Sequence, residues 1–394
     1  HEIVMSFTLG EIRENKTLKP FTIDRRNLLF VGKENRGKSE TIIRMALDDV
    51  YADRKVIFIG QQSDADSFLR FIPKRRQEEV TYFNPTLQPM AINPFWHVPD
   101  EKHNVITDAF IDAILSRTGF VAGTTARIEN LVTGAVLTLL KKKTESPLSL
   151  YYLLVDEKYR ESLQESLGPK LWLFWKIFKA LSPRDKHTEI SSTINKLSKL
   201  VYDPILENCF DQEGNYLRVE NEITIVSLDR YKLSEASYFL TGALIIANLI
   251  GQVSDDSDVT VFIDDADFFG SRVLASLLRQ PNINTVLTTS SFHRFQDANE
   301  ILSHVEVIAF EMSAKDAQIL GSDFILNENH YPLNLIPWSV GYVMDQSNYA
   351  VIFEVMNHNY KEYSSVKKKV IARCGEHCSQ YPPAIEKRLG RFFK

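Results

Sequence analysis

Apolar residues follow two rhythms along this chain. Between residues 27 and 83, short apolar runs alternate with helical periodicity. Residues 27–31 (Asn-Leu-Leu-Phe-Val) and 55–59 (Lys-Val-Ile-Phe-Ile) read as buried strands, and 79–83 (Glu-Val-Thr-Tyr-Phe) as a third. Helical spacing over 39–52 and 63–71 fills the gaps between them. Residues 1–26 form a polar, lysine-bearing, β-rich lead-in. This alternation predicts a mostly parallel sheet covered by helices.

From about 102 to 220 apolar residues recur at helical spacing in 104–116, 124–142, 147–154, 158–183 and 187–206, and no strand is legible. The strand rhythm returns at 223–228, followed by a strongly apolar helix over 236–253. A further strand, 259–263, runs into Asp264 and Asp265, and more are expected at 285–289 and 305–310, with a terminal hairpin over 341–355. The pattern therefore predicts an α/β domain in two pieces, 1–101 and 221–355. An all-α insertion, 102–220, interrupts it, and a basic amphipathic tail, 356–394, follows.

Composition changes this picture little. The 394 residues are 44% hydrophobic and 25% charged, as in a globular protein. No stretch reaches the roughly 18 apolar residues of a membrane span, and no signal peptide is legible, so a cytoplasmic setting is expected. The chain begins with His1. A membrane anchor upstream, which would place it at the inner face of the membrane, stays open. A net charge of −5 does not mark a nucleic-acid binder, although a ring-shaped motor can be basic only along its channel. Three cysteines (Cys209, Cys374, Cys378) make no disulfide framework. Cys374-Gly-Glu-His-Cys378 has no second half, so ordinary cysteines are expected rather than metal ligands.

Chemistry concentrates at residues 32–39, Gly32-Lys33-Glu34-Asn35-Arg36-Gly37-Lys38-Ser39, the G-x-x-x-x-G-K-[S/T] phosphate loop. It lies between an expected strand and an expected helix, the context the physics requires. The glycines let backbone N–H groups turn inward on phosphate, and Lys38 reaches the β/γ-phosphates. Ser39 offers its hydroxyl to Mg²⁺, and Glu40 opens the helix whose positive end faces the same anion. Such a loop needs an acid at the end of a neighbouring strand. Asp264 is the expected Mg²⁺ acid, and Asp265 stands where a water-positioning base would act. The candidate catalytic set is Lys38, Asp264 and Asp265; the nucleotide-binding set is residues 32–40; the metal pair is Ser39 and Asp264.

Beyond the loop, Phe71-Ile72-Pro73-Lys74-Arg75-Arg76 leads into Val80-Thr81-Tyr82-Phe83-Asn84-Pro85 and Ile92-Asn93-Pro94-Phe95. Arg127-Ile128-Glu129-Asn130 opens a long helix, and Ile301-Leu302-Ser303 precedes Val307-Ile308-Ala309-Phe310 and Ser313-Ala314-Lys315-Asp316-Ala317. In this order the stretches resemble the TraD/TraG-type coupling ATPases of conjugation and type IV secretion, within the HerA/FtsK group of ring motors. The resemblance spans roughly residues 20–345. It implies a RecA-like P-loop NTPase domain carrying an all-α insertion, ATP and Mg²⁺ bound between subunits, and a homo-hexamer around DNA. That DNA, single- or double-stranded, would be held without regard to sequence. The resemblance further implies that the insertion meets relaxosome or secretion-substrate proteins.

Four departures cluster near hydrolysis. The family's Asp-Pro-x-Gly-Asp element is Gly60-Gln61-Gln62-Ser63-Asp64, and Asp265 replaces a glutamate. Ser290 stands for a phosphate-sensing glutamine, and Glu311 for an arginine. A DNA-translocating ATPase is one expectation. The alternative is a nucleotide-binding scaffold with weak or no hydrolysis that recruits partners through the insertion. Among the arginines, Arg25, Arg26, Arg75, Arg76 and Arg127 are all candidates for the trans-acting role. Phe95-Trp96 and Trp172-Leu173-Phe174-Trp175 are expected in the core, and Lys141-Lys142-Lys143 at a solvated helix end.

Overall fold

The structure is a computed structural model that describes residues 6–14, 16–115, 125–164, 167–321, 324–344 and 349–375. Along the chain the elements run β1 (Ser6–Glu14), β2 (Thr17–Asp24), β3 (Leu28–Val31), α1 (Lys38–Tyr51), β4 (Lys55–Gln61), α2 (Gln62–Arg70) and β5 (Val80–Phe83). Helices follow: α3 (His103–Leu115), α4 (Thr125–Lys142), α5 (Ser149–Val155), α6 (Glu157–Gln164), α7 (Pro169–Ala180), α8 (Pro183–Tyr202) and α9 (Pro204–Phe210). Then come β6 (Ile223–Leu228), α10 (Glu235–Gln252), β7 (Val259–Ile263), α11 (Ser271–Leu278), β8 (Ile283–Thr289) and α12 (Ala298–Leu302). The chain continues through β9 (Glu306–Ala309), α13 (Ala314–Leu320), β10 (Val340–Met344), β11 (Ala350–Glu354) and α14 (Val366–Gly375).

The chain divides into two compact units. The first, 1–82, 219–228 and 254–374, holds one sheet in the order β2-β1-β11-β10-β9-β3-β8-β7-β4-β6-β5. From β9 through β6 every pairing is parallel, whereas β10, β11, β1 and β2 extend the sheet antiparallel. Strands β3, β6 and β7 are buried at every residue, which is why they read as continuous apolar runs rather than alternations. This is the α/β fold class expected from the sequence. At the β5 edge, α14 supplies partners for open backbone groups: Arg373 donates to Val80 O, and Tyr82 N donates to Cys374 Sγ at 3.4 Å.

The second unit is 83–218, 229–253 and 375–394; among its described residues the regular elements from α3 to α9 are helices, and α10 groups with them. The expected helix over 158–183 is two helices, α6 and α7, because Gly168 and Pro169 form the cap and first turn of α7. Ser182 caps α8 by accepting from Asp185 N, so that helix starts earlier than its apolar spacing suggested. Phe95 and Trp175 are core residues, but Trp172 and Leu173 are about half exposed, at 49% and 51%, with Ile177 at 60%. The core expectation is therefore wrong for the outer half of that cluster. Lys141 and Lys143 are exposed at the end of α4, as expected, and Lys141 pairs with Asp100 at 2.6 Å. Cys209 and Cys374 are buried. Cys378, and the tail beyond 375, lie outside the described residues.

Candidate nucleotide-binding site

The register of the parallel strands builds the site. Ile59, Ile263 and Leu287 lie side by side, as do Val31, Thr289 and Ala309. The next residue on each strand, at its carboxyl end, is Gly60, Asp264, Thr288, Gly32, Ser290 and Phe310. Open parallel sheets bind ligands outside these ends, where neighbouring strands lead to different connections. Here β3 sits between β8 and β9, both from far along the sequence.

The phosphate loop leaves β3 and enters α1. A side chain at Gly32 would collide with Phe310 at 2.7 Å and Glu311 O at 3.0 Å, so the loop can pass only as glycine. Lys33 N donates to Glu311 O at 2.7 Å, tying the loop to the end of β9. Asn35 and Gly37 take left-handed backbone conformations, with φ of 57° and 92°, which curl the loop over the start of α1. Trp338 Nε1 donates to Asn35 O at 3.1 Å. Lys38 is 6% exposed, and its ammonium donates to Gly32 O and Lys33 O, both at 2.7 Å. It carries three donors, so capacity for an anion remains. Burial lowers its pKa, and the carboxylates of Asp264, Asp265, Glu34 and Glu40 oppose that shift. Arg36 Nε is buried without a hydrogen-bond partner. A glycine-lined cradle, a sequestered ammonium and an orphaned guanidinium N–H fit a phosphate chain.

The acids sit opposite. Asp264 is 2% exposed and accepts from the hydroxyls of Thr288 and Ser39. Burial pushes its pKa up to about 7, Asp265 adds to the rise, and the hydroxyl donors oppose it. A buried carboxyl joined to Ser39 and crowded by another acid has the chemistry of a hard-cation ligand, so the Ser39–Asp264 pair fits Mg²⁺. Thr288 serves both acids, because its hydroxyl also accepts from Asp265 N at 2.8 Å. Asp265 itself is left-handed, at φ 51° and ψ 49°. Aspartate tolerates that conformation better than most non-glycine residues.

Sequence reasoning missed Thr288 and a second group. Arg294 Nε pairs with Asp267 at 2.8 Å, and its guanidinium also donates to Ser290 Oγ at 2.6 Å. Thr289 donates to the other Asp267 oxygen at 2.8 Å. Ser290 is thus held by an arginine four residues on. Glu311 ion-pairs with Lys33 at 2.6 Å and Arg36 at 2.7 Å, and the Lys33 hydrogen bond holds its carboxyl below the usual range. An acid at this position therefore grips two cations of the loop. Glu34 and Glu40 are exposed, Glu40 in the first turn of α1.

Of the candidate arginines, Arg25 is spent on Asp49 and Thr260, and Arg76, 2% exposed, on Glu79, Glu222 and two carbonyls. Arg26 pairs with Glu306 and Arg75 with Asp53. Arg127, in the helical unit, is 72% exposed, with Glu189 at 3.9 Å. Among the described residues, no group of three His, Cys, Asp or Glu side chains gathers into a metal cluster, and no helix is long and apolar enough to cross a membrane.

No family model matches the sequence, and no curated protein matches it. Solved structures do resemble it. The unbound bacterial conjugative coupling protein TrwBdeltaN70 superposes with a TM-score of 0.63 at 13% identity, over 86% of this chain and 87% of that one. Plasmid coupling protein TrwB with the non-hydrolysable ATP analogue ADPNP gives 0.64 at 12% identity, over 86% and 87%. VirB4 of Thermoanaerobacter pseudethanolicus gives 0.56 at 14% identity, over 91% and 98%. The likeness is one of fold: this chain shares the framework of a conjugative coupling protein and of a VirB4, the architecture that the sequence resemblance implied.

Proposed function

We propose that this chain binds Mg-ATP and hydrolyses it to drive DNA through a conjugation or type IV secretion apparatus. The observation that carries the reading is the direct contact between Ser39 of the phosphate loop and buried Asp264, opposite the sequestered Lys38 ammonium. The fold neighbours support it, since TrwB has been crystallised with ADP and Mg²⁺ and with ATP and GTP analogues. In this reading Ser39 and Asp264 hold Mg²⁺, which neutralises charge developing on the phosphates. Lys38, the loop N–H groups and the α1 N-terminus fix the phosphate chain. Asp265, oriented through Thr288, positions the attacking water. A homo-hexameric ring, sequence-blind contact with DNA and docking of relaxosome or secretion-substrate proteins on the helical unit complete the proposal.

A second reading rests on particular contacts. Asp265 is short, Ser290 is engaged by Arg294, and Glu311 grips Lys33 and Arg36. The exposed Trp172, Leu173 and Ile177 give the helical unit an apolar face of the kind that partners cover. Together they favour a nucleotide-binding scaffold with slow turnover. ATPase rate with and without DNA separates the two. The motor reading expects a DNA-stimulated rate on the order of 1 per second, lost in Lys38→Ala. Tight ATP binding without turnover overturns it in favour of the scaffold.

A further inference from the structure

Helix α7 carries lysines at 170, 176 and 179 and no acid, and it is apolar on two sides. Its inner side is committed within the helical unit. Trp175 and Phe178 are buried, and Trp175 Nε1 donates to Thr138 Oγ1 at 2.8 Å. One turn earlier on α4, a side chain at Gly134 would meet the Phe174 ring at 2.5 Å, so the two helices touch closely there. The Arg160 guanidinium lies 5.8 Å from the Trp175 ring centre and 5.1 Å from that of Phe178. These contacts fix the rotation of α7. At roughly 100° per residue, Trp172, Leu173, Lys176 and Ile177 must then face away from the core. Trp172, Leu173 and Ile177 are indeed about half exposed or more, which is a contiguous patch rather than a scatter.

We infer that this outer face of α7 docks on an anionic lipid surface, lying along it without crossing it. The inference stands independently of the nucleotide reading. Its first support is the order of residues around the helix. The stripe of Leu173 and Ile177 runs between Lys170 on one margin and Lys176 on the other, and Lys176 Nζ sits 4.9 Å from the Trp172 ring centre. Lysine stems cover apolar surface while their ammonium groups reach headgroups, and tryptophan favours the boundary between the two. Twelve residues make a helix of about 18 Å, too short for a hydrocarbon core of about 30 Å but long enough to lie in its boundary.

The second support is a groove of about 430 Å³ beside the stripe. Leu131, Phe174 and Leu181 line it, and Arg127 and Lys170 stand on it as cations. Its apolar lining suits an acyl chain, and the cations suit the phosphate of the same lipid. The acids close by are already engaged: Glu189 lies 3.9 Å from Arg127, and Glu161 pairs with Lys179 at 2.5 Å. The exposed stripe also runs past the groove to Trp172. A bilayer covers that whole face, whereas a single partner helix seated in the groove would leave Trp172 in water.

The test is co-sedimentation of the whole chain with vesicles of phosphatidylcholine alone and of phosphatidylcholine mixed with phosphatidylglycerol. Binding is expected only to the mixed vesicles, and it should weaken as salt rises. Two double variants change exposed side chains only, Leu173→Ser with Ile177→Ser and Lys170→Glu with Lys176→Glu. Each should lower vesicle affinity by about tenfold or more while the melting temperature stays unchanged. Wild-type tryptophan fluorescence should shift to the blue on mixed vesicles, and Trp172→Phe should remove that shift. No binding to mixed vesicles, or equal binding to both kinds, overturns the inference. Binding that both double variants retain overturns it too, because another surface would then be responsible. So does association with a soluble acidic amphipathic peptide in place of vesicles, which would make the face a protein-docking site.

Discussion

The two flanks of the phosphate loop are built differently. On the gripping flank, each group has redundant support. Lys38 is held by two carbonyls, Ser39 and Thr288 both donate to Asp264, and Gly32 packs where no side chain fits. On the turnover flank the groups are shorter or already engaged. Asp265 N donates to the Thr288 hydroxyl, and Ser290 is tied to Arg294. On the proposed reading, the contrast teaches that gripping a triphosphate and breaking it would be separate structural tasks in one site. Here the first is over-determined and the second leaves little slack.

The largest effect should come from the gripping flank. Lys38→Ala removes the buried cation and should lower ATP affinity by roughly a hundredfold or more, measured by calorimetry. Retained affinity would mean that the loop backbone alone holds phosphate. Next is Asp264, whose folded pKa of about 7 stands above the ordinary aspartate value of 3.8. The folded chain therefore holds a proton that the unfolded chain releases. Its stabilising effect is full below about pH 4 and is lost as pH rises through about 7. Without metal, melting temperature should fall across that window by an amount corresponding to a few kcal/mol, and Asp264→Asn should flatten the slope. Mg²⁺ affinity should run the other way, rising through the same window, because the metal takes the carboxylate. A flat wild-type melting profile would place Asp264 outside the buried acid–metal role.

Smaller effects probe the turnover flank. Asp265→Glu should raise hydrolysis up to about tenfold by closing the gap to water. The same change should cost about 1 kcal/mol of stability, since glutamate enters left-handed backbone less readily. Unaltered turnover would show that reach does not limit the rate. Smallest in its effect on nucleotide is Arg294→Ala, which frees Ser290 and strips buried Asp267 of its ion pair. Stability should fall by about 1–3 kcal/mol, read by denaturant melting, with ATP affinity unchanged. A change in affinity would move Arg294 to the gripping flank.

What could be read from the sequence divides along the same line. The loop and Asp264 are local patterns, a fixed spacing after one strand and an acid ending another, so both were legible. Thr288 and Arg294 were not. Their roles depend on β8 pairing with β7 across the intervening α11, which brings Thr288 to Asp264, 24 residues earlier, and nothing in a Thr-Thr-Ser-Ser run announces it. The same limit let Arg25 and Arg76 pass as candidate trans-acting residues, since their partners lie on other elements. Helix α7 failed differently. It is apolar on nearly every side, so its period could not reveal that Trp172, Leu173 and Ile177 face outward. The departures at Asp265, Ser290 and Glu311 were visible, but their present partners were not.

The two rims of the sheet carry a last consequence, for solubility. An exposed rim strand is a template on which another chain can add itself. Strand β2 guards one rim by composition, with exposed Lys19 and Pro20 along it. Strand β5 is mostly buried and apolar, and it relies on α14 instead, through Arg373 on Val80 O and Cys374 beside Tyr82. The helix therefore acts as a guard against self-association. Truncation before Val366 should yield a chain that aggregates with concentration-dependent kinetics while its phosphate loop still binds nucleotide, detectable by light scattering beside a binding assay.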